Sequence, residues 1–166
     1  MKKILNILSQ QIFKANIQKI IIFNKKKKGF VKKKSSKLIK NFHIFIIKNG
    51  KIFTNSNEDA AYLKDNYILS EPSYQYRNSK NENIRKNFIF KIGINRFKKK
   101  YKGKIVSIIS GGGAKNNYAH WIFDSIARLL LIEKILKKVH FDYLYVPSYK
   151  HHYQKEIIKY LKIPIK

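Results

Sequence analysis

The sequence predicts an α/β fold: a βαβα unit over residues 104–166, preceded by a β-rich region at 42–103 and a basic helical segment at 1–41. Three observations predict it. The β-branched run Lys104–Ser110 is broken by the triplet Gly111–Gly113. A long apolar stretch with helical character then runs from about Asn117 to Lys138, and Phe141–Val146 forms a second strand-like run stopped by Pro147. Strand, glycine turn, helix, strand and a further helix over Gln154–Leu161 is the grammar of a parallel sheet.

In residues 1–41, Ile4, Ile7, Leu8, Ile12, Ala15 and Ile22 recur at roughly helical spacing, with lysines at 25–28 and 32–34 behind them. No apolar run there approaches the roughly 18 residues that a bilayer span needs. Lys14 and Lys19 interrupt the pattern of a secretory signal. The segment reads either as an interfacial helix with a polybasic flank or as a surface helix with a lysine-rich linker. Further on, His43–Ile47 and Lys51–Thr54 flank Asn49-Gly50, a strong hairpin signal because both residue types tolerate positive φ. Tyr67–Leu69 and Phe88–Ile94 read as strands, with the polar stretch Asn78–Asn87 between them as a loop. Lys104–Ser110 has the composition of a strand buried on both faces. Lys134, Lys137 and Lys138 fall in the last turns of the long helix, where its dipole favours cations.

The chain has 166 residues, about one domain, and is 44% hydrophobic, enough for a core. It has no cysteine, which excludes disulfides and thiolate metal sites. The net charge of +28 invites a polyanion partner. Only Arg77, Arg85, Arg96 and Arg128 are arginines, however, and arginine supplies the bidentate contacts that read bases. Lys, Ile, Asn, Phe and Tyr are over-used together, as A/T-rich codons dictate, so no specific nucleic acid is expected.

Chemistry concentrates after the glycines. At 100° per residue Asn117, His120, Asp124 and Arg128 share one stripe of a helix that is otherwise apolar almost all round, which predicts burial or a cleft. The bland reading is an internal network in which Asp124 pairs with Arg128. Gly111–Gly113 lead into neither a Walker A loop nor a dinucleotide fingerprint, which leaves a helix amino terminus able to receive an anion. His151-His152 reads as a surface pair, because neither carboxylates nor thiols stand nearby to complete a metal site.

The stretch Gly-Gly-Gly-Ala-Lys-Asn-Asn-Tyr-Ala-His-Trp-Ile-Phe-Asp-Ser-Ile-Ala-Arg-Leu (111–129) resembles the signature block of family-61 glycosyltransferases, the capsular-polysaccharide biosynthesis type. In that block an Asn precedes His-Trp, an Asp stands three residues after the Trp, and Pro-Arg-Leu follows; Ala127 stands here in place of the Pro. Asp65–Ser73, Asp142–Pro147 and Tyr153–Pro164 are similar to flanking parts of the family pattern, so the resemblance covers about Phe42 onwards. It implies a GT-B architecture of two Rossmann-like halves, of which residues 104–166 are part of the amino-terminal one. The donor-binding carboxyl-terminal half is expected to be missing, the chain being a fragment or one piece of a split enzyme.

The resemblance also implies inversion at the anomeric carbon, no obligatory metal and no cofactor. The partners it implies are a nucleotide-sugar donor and a cell-surface glycan or lipid-linked acceptor, with a cytoplasmic location and peripheral contact with an anionic membrane. On this reading His120 is the base or an acceptor contact, and Asp124 fixes its tautomer. Asn117, Trp121, Arg128, Gly112 and Gly113 are the expected substrate-binding residues, with Asn117 bonding the acceptor or capping the helix, Arg128 meeting an anionic group or holding Asp124, and Trp121 stacking on a sugar ring or filling the core. The rival expectation is a lysine-rich protein that binds nucleic acid or anionic membrane without catalysis.

Overall fold

In a computed structural model the structure describes residues 21–23, 31–35, 42–55, 59–73, 75–77, 80–94, 99–109, 113–136 and 140–162. The chain forms two compact units, built mainly from Phe45–Thr54 with Ala60–Lys99 and from Lys100–Lys166.

The first unit is β-rich. Its strands are β1 (Ile21–Phe23), β2 (Val31–Ser35), β3 (His43–Ile47), β4 (Gly50–Asn55), β5 (Asp59–Lys64), β6 (Tyr67–Leu69), β7 (Tyr76–Arg77) and β8 (Lys80–Asn81). A four-stranded sheet has the order β1-β6-β5-β4, and β2-β3 and β7-β8 are separate pairs. β5 and β6 are antiparallel with Leu63 opposite Ile68, joined by a tight turn in which Asp65 takes φ 56°. Ala61, Leu63, Ile68, Ile84, Phe88, Ile89 and Ile94 form the core, with Phe53 packed against it.

Three sequence expectations are corrected here. Ile21–Phe23 and Val31–Ser35 are strands where helix and linker are expected. Ile22 pairs in parallel with Ile68, and the β-branched run Ile20–Ile22 suits a strand once a neighbour is supplied. The remaining apolar positions of the expected helix, Ile4 to Ala15, lie outside the described residues. The Asn49-Gly50 turn forms, with Asn49 at φ 54° and Gly50 so close to Ile47 that a Cβ would lie 2.9 Å from its Cγ2. Its strands do not become sheet neighbours, because β4 lies beside β5, where Phe53 reaches the core. β5 and β6 do pair as antiparallel neighbours.

Phe88–Ile94 is not a strand but a single turn of helix, α1 (Ile89–Ile92), ended by Gly93 at φ 74°. Its cause is Asn87, fully buried, whose side-chain oxygen accepts from the Ile89 backbone N–H. The Asn87 amide donates to the carbonyls of Ala60 at 3.2 Å and Ser73 at 2.9 Å. Asn87→Ala leaves these groups buried and unpaired, and is expected to cost the unit about 3 kcal/mol in urea unfolding. An Asn87→Ala protein within 1 kcal/mol of wild type contradicts this role.

The second unit is the βαβα motif. β9 (Ile105–Ser107) and β10 (Tyr143–Tyr145) are parallel, with Ile105 opposite Tyr143 and Val106 opposite Leu144. Between them runs a helix in three parts: α2 (Tyr118–His120), a π-helical segment Trp121–Ile126, and α3 (Ala127–Leu136). α4 (His152–Tyr160) follows β10. Val106, Ile108, Leu129 and Phe141 form the core, with Ile132, Leu136, Leu144, Val146 and Ile158 packed on it. β9 is buried on one face only: Val106 is buried, whereas Ile105 is exposed. Further along the same run Ile108 and Ile109 are both buried, so the expected burial on both faces holds there but not at Ile105.

Gly103 sits at φ 133°, and a Cβ there would lie 2.4 Å from Asp142 Oδ2, the oxygen that accepts from the Lys104 backbone N–H. Gly103→Ala is therefore expected to lower the stability of this unit by about 2 kcal/mol, read from the midpoint of thermal unfolding. Among the described residues no helix is long and apolar enough to cross a membrane.

Candidate active site

The long helix begins where Asn117, in extended conformation, uses its side-chain oxygen to accept from the His120 backbone N–H at 3.2 Å. Asn117 is thus the N-cap, and the amide satisfies a donor that the first turn cannot. One turn on, His120 Nδ1 stands 2.6 Å from Asp124 Oδ2, with the two side chains 52% and 40% exposed. An ionised carboxylate only accepts, so Nδ1 is the donor in this contact, and whenever the ring is neutral Nε2 is the nitrogen without a proton. Asn117, His120 and Asp124 are brought together as the stripe requires.

Arg128 is exposed and follows the π segment. The Ala127 N–H bonds to Ile122 O, five residues back, so the turn holds one residue more than an α turn. The even 100° step does not carry across this widening, so helical spacing alone does not set Arg128 in line with Asp124. Asp124 pairs with His120.

Trp121 is fully buried, so of its two expected roles it takes that of a core residue. Among the described residues its Nε1–H has no hydrogen-bond partner. Ser125, equally buried, donates to Ile108 O at the end of β9 and ties the π segment to the sheet edge. The helix is not buried all round: Phe123 is 74% and Leu130 43% exposed. One face packs on β9 and β10, and two strands cannot cover more. Gly113 opens the short 3₁₀ turn Gly113–Lys115 before the N-cap, while Gly112 lies outside the described residues.

His151, expected to be half of a surface pair, is instead partly buried and tied to Asn116. Its Nε2 lies 3.2 Å from Asn116 Oδ1, and its ring stacks on Tyr153 at 5.4 Å, which meets Tyr118 edge-on at 5.1 Å. Gln154, fully buried, accepts from the His151 N–H and donates to Lys115 O at 3.1 Å. The loop leading into α2 and the amino terminus of α4 are therefore stitched into one corner. The signal was present in the sequence as Gln three residues after a residue preceding a helix. His152 instead forms an exposed pair with Glu156.

Among the described residues no group of three His, Asp or Glu side chains is placed to hold a metal ion. A surface hollow of about 490 Å³ is lined by Asn81, Glu82, Asn83 and Ile84, none of them a sequence-predicted site residue, and its lining lacks a base oriented by a carboxylate. The His120 corner has the better chemistry. Comparison of the chain with models of known families, with curated proteins and with solved structures gives no match.

Proposed function

We propose that this chain carries the acceptor-activating part of an inverting glycosyltransferase that uses a nucleotide-sugar donor. The observation that carries the reading is the 2.6 Å contact between His120 Nδ1 and Asp124 Oδ2 on the half-exposed first turns of the helix. It is supported by the resemblance of residues 111–129 to the family-61 block.

In the proposed step, Nε2 of His120 takes the proton of an acceptor hydroxyl as its oxygen bonds to the anomeric carbon. The bond from that carbon to the nucleotide phosphate breaks, and the departing phosphate keeps the electron pair. Asp124 holds the ring in the accepting tautomer and stabilises the imidazolium formed. Asn117 sets the backbone from which His120 projects, and His151, bonded to Asn116, orders the approach to it. The acceptor is a glycan, free or lipid-linked, and the reaction takes place in the cytoplasm at the inner face of the membrane.

The test follows labelled sugar from a panel of nucleotide-sugars into glycolipid in extracts of source cells, where any partner polypeptide is present. Asp124→Asn is expected to lower incorporation at least tenfold, because the amide offers the ring a donor as readily as an acceptor. Incorporation unchanged by Asp124→Asn overturns the reading.

A further inference from the structure

Seven consecutive residues need an explanation that the candidate active site does not supply. From Lys99 to Ile105 every side chain is exposed, although Tyr101 and Ile105 are large and apolar, at 52% and 40%. Tyr143, 40% exposed, is the register partner of Ile105 on the neighbouring strand, and residues paired across a sheet project to the same side. The Tyr101 ring meets that of Tyr143 edge-on at 5.0 Å. Tyr101, Ile105 and Tyr143 thus form one continuous apolar patch on the open face of β9–β10, and the exposed Lys100, Lys102 and Lys104 alternate with it along the chain.

The loop is held in this form. Asp142 Oδ2 accepts from the Lys104 N–H at 2.7 Å, and Lys104 O accepts from the Asp142 and Tyr143 N–H groups at 2.9 and 3.2 Å. Gly103 makes room for the Asp142 carboxylate. Asp142 is half-buried, so its charge is spent on the loop backbone while the ammonium groups remain in water.

We propose that this patch docks the protein on an anionic membrane surface. Tyrosine rings and an isoleucine suit the boundary between headgroups and acyl chains, and the interleaved lysines suit a layer of lipid phosphates. A protein partner of ordinary interface size would need a larger apolar core than three side chains provide. Single-stranded nucleic acid is the less suitable occupant: the edge-on pair presents no parallel stacking platform, and the patch holds no arginine.

The test is sedimentation of the full chain with vesicles of phosphatidylcholine and phosphatidylglycerol, against vesicles of phosphatidylcholine alone. Each lysine near an anionic surface is worth about fivefold in affinity. Lys100→Gln/Lys102→Gln/Lys104→Gln is expected to lower the partition coefficient by roughly 100-fold. Lys155→Gln/Lys159→Gln/Lys162→Gln, with the same loss of charge elsewhere on the surface, should lower it less than tenfold. Tyr101→Ser, which changes no charge, should weaken binding at least threefold at raised salt, where apolar insertion carries more of the affinity. Equal losses in the two triple variants, or a Tyr101→Ser protein that binds as wild type, overturn the proposal. So does a triple loop variant that loses affinity for oligo(dT) but not for vesicles.

Discussion

His120→Ala is expected to lower sugar transfer by about 10²- to 10⁴-fold, the range that removal of a positioned general base produces. The mutated side chain is 52% exposed and its ring serves no core, so the fold should be untouched: unchanged circular dichroism and thermal midpoint must accompany the lost turnover. The backbone N–H of residue 120 keeps its bond to Asn117 whatever the side chain, which preserves the cap. A kinetic split sharpens the expectation. If His120 acts on the reacting hydroxyl, kcat falls while KM for the donor stays within a fewfold. Loss confined to KM would make His120 a binding residue and remove it from the proposed step.

Trp121→Ala has the largest expected effect on stability, about 3–5 kcal/mol, with a fall in Tm of roughly 12–40 °C for the unit that contains it. Trp121 is fully buried in the π segment, between the residue that bears the base and the Ser125 tether to Ile108. Emptying that site removes the contacts that hold the widened turn, so sugar transfer should fall as well, in step with the population of folded protein. Trp121→Phe is the informative companion. It keeps most of the apolar volume and deletes an indole N–H that is buried without a partner among the described residues, so its cost should be well below that of the alanine variant. Equal costs for Phe and Ala would mean that the Nε1–H does find a partner.

How much of this was readable from the sequence differs between the two units, for physical reasons. The βαβα unit was legible because its signals are long and mutually consistent. A β-branched run, a glycine break and an apolar stretch of about twenty residues admit few other arrangements, and β9 and β10 do pair in parallel. The β-rich unit was less legible because its strands are two to six residues long and compete for neighbours. Asn49-Gly50 fixes a turn but not a partner, and β4 takes the place that buries Phe53. Phe88–Ile94 alternates like a strand, yet one buried asparagine at 87, bonded to Ala60 and Ser73, decides for helix.

Within the candidate site, the Asn117–His120–Asp124 arrangement follows from helical spacing, which sequence reveals. The π widening does not, because an i→i+5 turn is chosen by packing rather than by residue preference. His151 was read as a surface residue because its partner Asn116 stands 35 residues away, and no local pattern encodes such a contact.

The central claim is that Asp124 holds the proton of a neutral imidazole on Nδ1 and leaves Nε2 to accept another. Long-range ¹H–¹⁵N NMR of the His120 ring, at a pH where it is neutral, reads this directly. The account predicts a protonated Nδ1 and a bare Nε2 in the wild type, with the proton redistributed toward Nε2 in Asp124→Ala. A wild-type ring protonated on Nε2, or a tautomer indifferent to Asp124, would contradict it.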